Sequence, residues 1–179
     1  IPKLIPQKPR DLREELRDLL VEVGLQEVIT HTLVDSNSGL THNGISEHAN
    51  SLRILNPLSS DHQFLRTDLR SSILKVISKS VGHQTRGLSI FEIGRGFLPI
   101  PGDLPVEKEM AVVCLAGQRS PDSLWSKQEM ESYDFFDIKG MMEAIFSRLG
   151  ISFELKESSD AIFHPGKSAD IFAGQLKLG

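Results

Sequence analysis

One continuous block, residues 56–97, leaves the backbone few choices. It opens on Asn56-Pro57-Leu58-Ser59-Ser60, which reads as a turn. Proline fixes its own φ, lacks an amide hydrogen and pushes the preceding residue out of the helical region. Phe64-Leu65-Arg66-Thr67-Asp68 then reads as extended. Leu69, Ile73, Val76 and Ile77 recur at helical spacing, which predicts an amphipathic helix that Gly82 can end. Leu88 to Gly94 reads as a strand, with Leu88, Ile90 and Glu92 on one side and Ser89, Phe91 and Ile93 on the other. Arg95-Gly96-Phe97 follows directly.

Upstream, Pro2, Pro6 and Pro9 forbid helix and make residues 1–9 an extended lead-in or linker, so the folded domain is expected over 10–179. Leu12, Leu16, Leu19, Leu20 and Val23 then mark a helix. Its other face holds Arg13, Glu14, Glu15, Arg17, Asp18 and Glu22, a charged stripe expected to meet solvent or a partner, and Gly24 supplies the stop. The β-branched run 27–34 reads as one strand, 35–50 as a polar loop, and 52–55 as a short strand.

Downstream, Pro99, Pro101, Gly102 and Pro105 force a loop. The apolar run from Lys108 to Ala116 predicts a strand covered on both faces. Residues 117–131 are polar around Trp125, and Ile138, Met141, Met142, Ile145 and Leu149 define a third helix over 137–149. A strand is expected at 151–155, and a hairpin at 169–178 turning at Gly174. Strands with interspersed helices but no strict β-α-β alternation predict an α+β fold with a largely antiparallel sheet.

Composition narrows the function classes. The 179 residues suit one domain, long enough to bury roughly 70% of the surface its unfolded chain exposes. A net charge of −4 gives no global basic field that would draw the chain onto nucleic acid. Cys114 is the one cysteine and cannot form an internal disulfide, which suits a reducing compartment; within its apolar run it reads as a small buried hydrophobe. No apolar run approaches the ~20 residues needed to span a bilayer, and no signal peptide is evident. A start at Ile1 without methionine and an end at Gly179 after an apparent strand suggest a piece of a longer protein.

Tests for chemistry come back weak. The six histidines are scattered, with no i, i+4 pair, which argues against a metal site. Gly94-Arg95-Gly96 lacks the third glycine and the helix of a dinucleotide fingerprint, and neither a nucleophile elbow nor a P-loop is present. Glu129, Glu131, Asp134 and Asp137 precede the third helix, where negative charge is favourable. Glu92, inside an apolar strand, needs a partner if buried; Arg66 or Arg95 can supply it as a structural ion pair. The turn at His164-Pro165-Gly166-Lys167 is a poor phosphate site.

The ordered set NPLS, LRT-x-L, a helix, then a strand reading IFEIGRGF resembles the synthetase-like core domain of the phenylalanyl-tRNA synthetase beta chain. The likeness covers nearly the whole chain. Residues 1–9 resemble the link from the preceding module, Arg10 to Val34 the helix-then-strand opening, and Phe163 to Ala169 the later HPG-x-SA element. The residues carrying it are Asn56, Pro57, Leu65, Arg66, Thr67, Phe91, Glu92, Gly94, Arg95, Phe97, His164, Pro165 and Gly166.

The resemblance implies a class II aminoacyl-tRNA synthetase fold, an antiparallel sheet flanked by helices and incomplete at the C-terminal end. It implies a catalytically silent copy of that fold, binding no cofactor or metal itself. The alpha chain carries the active site with ATP and Mg2+. The two chains pair as a cytoplasmic α2β2 heterotetramer that charges tRNA(Phe), with no membrane contact. Silence is expected from one position. An active strand carries an arginine for the ATP α-phosphate, two residues before a glutamate, because a planar guanidinium pairs bidentately with phosphate oxygens. Here those positions hold Leu98 and Ile100. The first helix is expected at the subunit interface, with Arg13 and Arg17 as candidate contacts. The alternative is a stand-alone class II paralogue with a regulatory or RNA-binding role.

Overall fold

The computed structural model describes residues 8–35, 41–42, 45–46, 51–81, 87–119, 131–160, 163–164 and 166–179. In chain order these form α1 (Lys8–Glu22), β1 (Gln26–Glu27), β2 (Leu33–Val34), β3 (Thr41–His42), β4 (Ile45–Ser46), β5 (Phe64–Leu65), α2 (Arg70–Val81), β6 (Leu88–Leu98), β7 (Val106–Ala116), α3 (Phe135–Arg148), β8 (Glu154–Glu157), β9 (Ala169–Ala173) and β10 (Leu176–Lys177). The architecture is α+β.

The centre is β6, flanked by β1 and β7. β6 and β7 pair antiparallel along their whole length, from Leu88 opposite Ala116 to Leu98 opposite Val106. β1 joins β6 in parallel over two residues, so this sheet is mixed, while the pairing as a whole is largely antiparallel as expected. Antiparallel β8, β9 and β10 form a second sheet, and β2–β5 and β3–β4 are short antiparallel ladders.

Both faces of β6 are covered at its middle, which is why Ile90, Phe91, Glu92 and Ile93 are buried in succession. On one face α1 and α3 bring Leu20, Leu25 and Ile145 against Phe91 and Ile93, with Val113, Leu115, Met141 and Leu149 around them. On the other lie Leu69, just before α2, and Ile73 in the first turn of α2, both buried. Helix ends follow local rules. Gly24 (φ +92) and Gly150 (φ +67) take the left-handed backbone that ends α1 and α3. Asp134 caps α3 in a capping box with Asp137. The last hairpin turns at Gly174 (φ +61), as expected.

Several expectations change. The run 27–34 is not one strand. After Val28 N–H donates to Phe91 O (2.8 Å), the chain leaves β6, and Leu33–Val34 pairs with β5 instead. Residues 52–55 make a single bridge, Arg53 opposite Phe64. β7 is not covered on both faces: no residue in it is fully buried, and Val113 and Leu115 pack against the core from one face. Helix 3 starts two residues earlier than its apolar stripe shows, at Phe135. Lys8 and Pro9, expected in the linker, open α1 instead, Pro9 standing in the first turn where no amide hydrogen is needed; Gly82, Trp125, Glu129 and residues 1–7 of the expected linker fall outside the described residues.

Candidate functional site

Residues 65–67 and 91–97, separate in sequence, form one spatial unit. Main-chain bonds set it up: Arg66 N–H donates to Thr32 O (3.0 Å), and Phe97 N–H donates to Arg66 O (2.9 Å). The Arg66 side chain then runs back along β6 toward Glu92. Its Nε donates to Arg95 O (3.0 Å), and its Nη1 donates to Glu92 Oε1 (2.8 Å) and Thr30 Oγ1 (2.7 Å). Thr30 closes the ring by donating Oγ1–H to Glu92 Oε2 (2.7 Å). Arg66 is 3% exposed and Glu92 2%, so both charges are out of water and neutralise each other.

The glycines beside this pair are spacers. A Cβ on Gly94 would collide with Arg66 Nη2 and come within 3.2 Å of Glu92 Oε1. One on Gly96 would collide with the Thr67 carbonyl. Side chains alternate along a strand, so Glu92, Gly94, Gly96 and Leu98 share the face that receives residues 66–69. Arg95 points the other way, more than half exposed, and pairs with Glu107 (2.7 Å) on β7. Of the two partners expected for Glu92, the structure selects Arg66.

Leu98 ends the network's face of β6 at 39% exposed, with Ile100 at 41% beyond it. Leu65 sits half-buried in β5 opposite Leu33, and Phe91 is fully buried in the core. The other signature residues lie elsewhere. Asn56 and Pro57 form a surface turn whose neighbours Leu55 and Leu58 are fully exposed. His164 and Gly166 (φ +75) belong to an exposed turn between β8 and β9, closed by Lys167 N–H to His164 O (3.1 Å), while Pro165 lies outside the described residues.

Arg13 and Arg17 do not stand free on a solvent stripe. Arg13 donates to Ile93 O (3.2 Å) and pairs with Glu109 (3.2 Å), tying α1 to β6 and β7. Arg17 binds Glu27 through Nε (3.0 Å) and Glu14 through Nη1 (2.5 Å). Hydrogen bonds to Glu14 and then Glu27 hold its guanidinium pKa above the ordinary arginine range. The exposed residues of α1 are instead Asp11, Leu12, Glu14, Glu15, Asp18, Val21 and Glu22, the last paired with Arg148 of α3.

Sequence reasoning missed Thr30, which carries no signal within a β-branched run. It also missed Arg119, which gathers Glu131 (3.0 Å), Asp134 (3.8 Å) and Asp137 (3.0 Å) at the start of α3. Among the described residues no group of three His, Cys, Asp or Glu side chains is placed to hold a metal ion. Cys114 is half-buried, and burial pushes its thiol pKa up. No described helix is long and apolar enough to cross a membrane.

Over residues 3–179 the sequence matches the family described as the phenylalanyl tRNA synthetase beta chain CLM domain. It is 37% identical to a phenylalanine–tRNA ligase beta subunit of Syntrophus aciditrophicus, across 96% of this chain and 22% of that protein. A beta subunit from Dehalococcoides mccartyi is 31% identical, across 100% of this chain and 22% of the relative. The chain thus spans about a fifth of the length of these relatives. Among solved structures it is similar to a pyrrolysyl tRNA synthetase of Desulfitobacterium hafniense, with a TM-score of 0.64 and 19% identity over 94% of this chain and 55% of the other. That likeness shows the fold, which is that of a class II aminoacyl-tRNA synthetase.

Proposed function

The chain belongs to the phenylalanyl tRNA synthetase beta chain CLM-domain family, and from that premise we propose that it is a catalytically silent, synthetase-like core of a phenylalanine–tRNA ligase beta subunit. In this reading it scaffolds the alpha subunit within an α2β2 assembly in the cytoplasm. That assembly joins phenylalanine to tRNA(Phe). ATP and Mg2+ act at the alpha subunit's site, and this chain holds neither.

The observation that carries the reading is Leu98. It stands on β6 where, by the resemblance, a nucleotide-binding copy of the fold has an arginine, and an aliphatic side chain neither donates to nor neutralises a phosphate. Neighbouring guanidinium groups are already engaged: Arg66 is buried against Glu92, and Arg95 pairs with Glu107 from the other face. Arg13 and Arg17 remain candidate contacts for the alpha subunit only through the 34% and 24% of their side chains that their internal pairs leave exposed.

The test is phenylalanine-dependent pyrophosphate exchange by a full-length beta subunit carrying this sequence, alone and then with its alpha subunit. Exchange only in the mixture is the expected result. Exchange by the beta subunit alone would overturn the silent reading.

A further inference from the structure

We propose that His31 and His62 form a two-imidazole site for a zinc-class divalent cation, which clips the chain after β1 to the chain before β5. The histidines offer no ligand spacing in the sequence; the fold brings these two together. Thr30 is held on Glu92, and beyond it the chain turns from β6 to β5. Arg66 N–H donates to Thr32 O (3.0 Å) and Gln63 N–H to Val34 O (3.1 Å), which lays the two segments side by side. Their imidazoles then meet, with ring centroids 5.2 Å apart and planes inclined at 56°. An imidazole nitrogen binds zinc at about 2.0–2.1 Å, which puts the ion about 3.2 Å from the ring centre. Two rings on one ion at a tetrahedral angle therefore have centres about 5 Å apart, and the rings here stand at that separation.

The nitrogens are available. A carbonyl only accepts, so the 3.3 Å contact between His62 Nδ1 and Leu33 O puts a hydrogen on Nδ1 and leaves the lone pair of the neutral ring on Nε2. A main-chain carbonyl on the far nitrogen is the support that orients a metal-binding histidine. Among the described residues no group hydrogen-bonds Nε2 of His62 or either nitrogen of His31. His31 is exposed and His62 half-buried, so an ion can reach both, and water can fill its other positions. Two neutral imidazoles favour zinc, copper and nickel over magnesium, which takes oxygen ligands. With two protein ligands the site is an open, reversible clip rather than a closed structural centre. The β2–β5 ladder beneath it is two residue pairs long, so the ion adds a cross-link where main-chain pairing is short.

The proposal does not rest on catalytic silence, and its tests read metal binding rather than activity. A full-length beta subunit carrying this sequence is stripped with a chelator and titrated with Zn2+ by calorimetry, alongside His31→Gln, His62→Gln and the double variant. The expected result is one equivalent of Zn2+ fewer in each single variant and no further loss in the double. Zinc sites elsewhere in the subunit are common to all four proteins and cancel. Equal stoichiometry in all four would overturn the proposal, as would a loss in His62→Gln that His31→Gln does not share. His31 is exposed, so its variant leaves the core untouched. A second measurement needs no variant: modification of histidines by diethyl pyrocarbonate, read by peptide mass. With Zn2+ at ten times its Kd about a tenth of the sites stay empty, so modification of His31 and His62 should slow about tenfold. Mg2+ at the same concentration should leave both rates unchanged. Protection of neither ring by Zn2+, or equal protection by Mg2+, would overturn the site.

Discussion

Replacing Glu92 by glutamine removes one charge and almost no volume from a side chain that is 2% exposed. Arg66, itself 3% exposed, then keeps its charge with only neutral acceptors near it, Arg95 O and Thr30 Oγ1. Removing one member of a buried pair costs about 3–5 kcal/mol, a large share of the roughly 5–15 kcal/mol that holds a domain folded. With a urea slope of about 2 kcal/mol per molar, the unfolding midpoint should fall by about 2 M. Arg66→Met should cost a similar amount, since it strands the carboxylate with Thr30 alone. The double variant Arg66→Met with Glu92→Leu buries no charge. It leaves Arg95 O and Thr30 Oγ1 unpaired, at about 1–3 kcal/mol each, so it should cost well under the sum of its parts. Urea titration followed by circular dichroism gives all the required values. A single-variant cost below about 1 kcal/mol, or a double that equals the sum, would refute the reasoning that this pair is closed off from water.

Three further expectations follow from the same geometry. Gly96→Ala should destabilise more than Gly94→Ala, because its Cβ meets the Thr67 backbone whereas the Gly94 Cβ meets side-chain ends. With overpacking costs of about 1–3 kcal/mol, the melting temperatures should separate by a few degrees in that order, and the reverse order would count against it. Asp134→Ala should lose the cap of α3, a cost of about 1 kcal/mol, with faster hydrogen exchange at the amides of Phe136 and Asp137. The Asp170 carboxyl is held below the usual range, first by its hydrogen bond to Lys177 and then by that to Ser158. Its contribution to the β9–β10 hairpin should therefore be complete above the unfolded-state value near about pH 4. It should fade as pH drops through the lowered folded value. In Lys177→Met, carboxyl NMR should show the Asp170 titration moved upward.

The periodic elements were legible because their signals are local. Helical spacing placed α1, α2 and α3, alternation placed β6, and Gly174 placed the final hairpin. What escaped depends on neighbours distant in the chain. The run 27–34 has strand composition throughout, but Thr30 is held against Glu92 and Arg66, so the pairing switches from β6 to β5 partway along. β7 has the apolar composition of a covered strand, yet coverage depends on which elements lie beside it, and composition carries no record of that. Arg13 and Arg17 fall on the polar face by helical wheel, but long side chains reach around a helix. Glu109, Ile93 O and Glu27 lie within that reach.

The cluster around β6 also separates two things that a motif can record. Along one face, Glu92 receives a guanidinium, Gly94 lets that side chain pass, and Gly96 lets the Thr67 main chain lie against the strand. Arg66 supplies the guanidinium and, through its carbonyl, accepts from Phe97. The identities of these residues are thus accounted for by how the segment before α2 docks on β6, with no ligand entering the argument. A strand can keep the whole of that arrangement whether or not its next side chain on the face can hold a phosphate. On this chain that side chain is Leu98, so in the reading proposed above likeness to a synthetase and competence as one rest on different residues of the same strand.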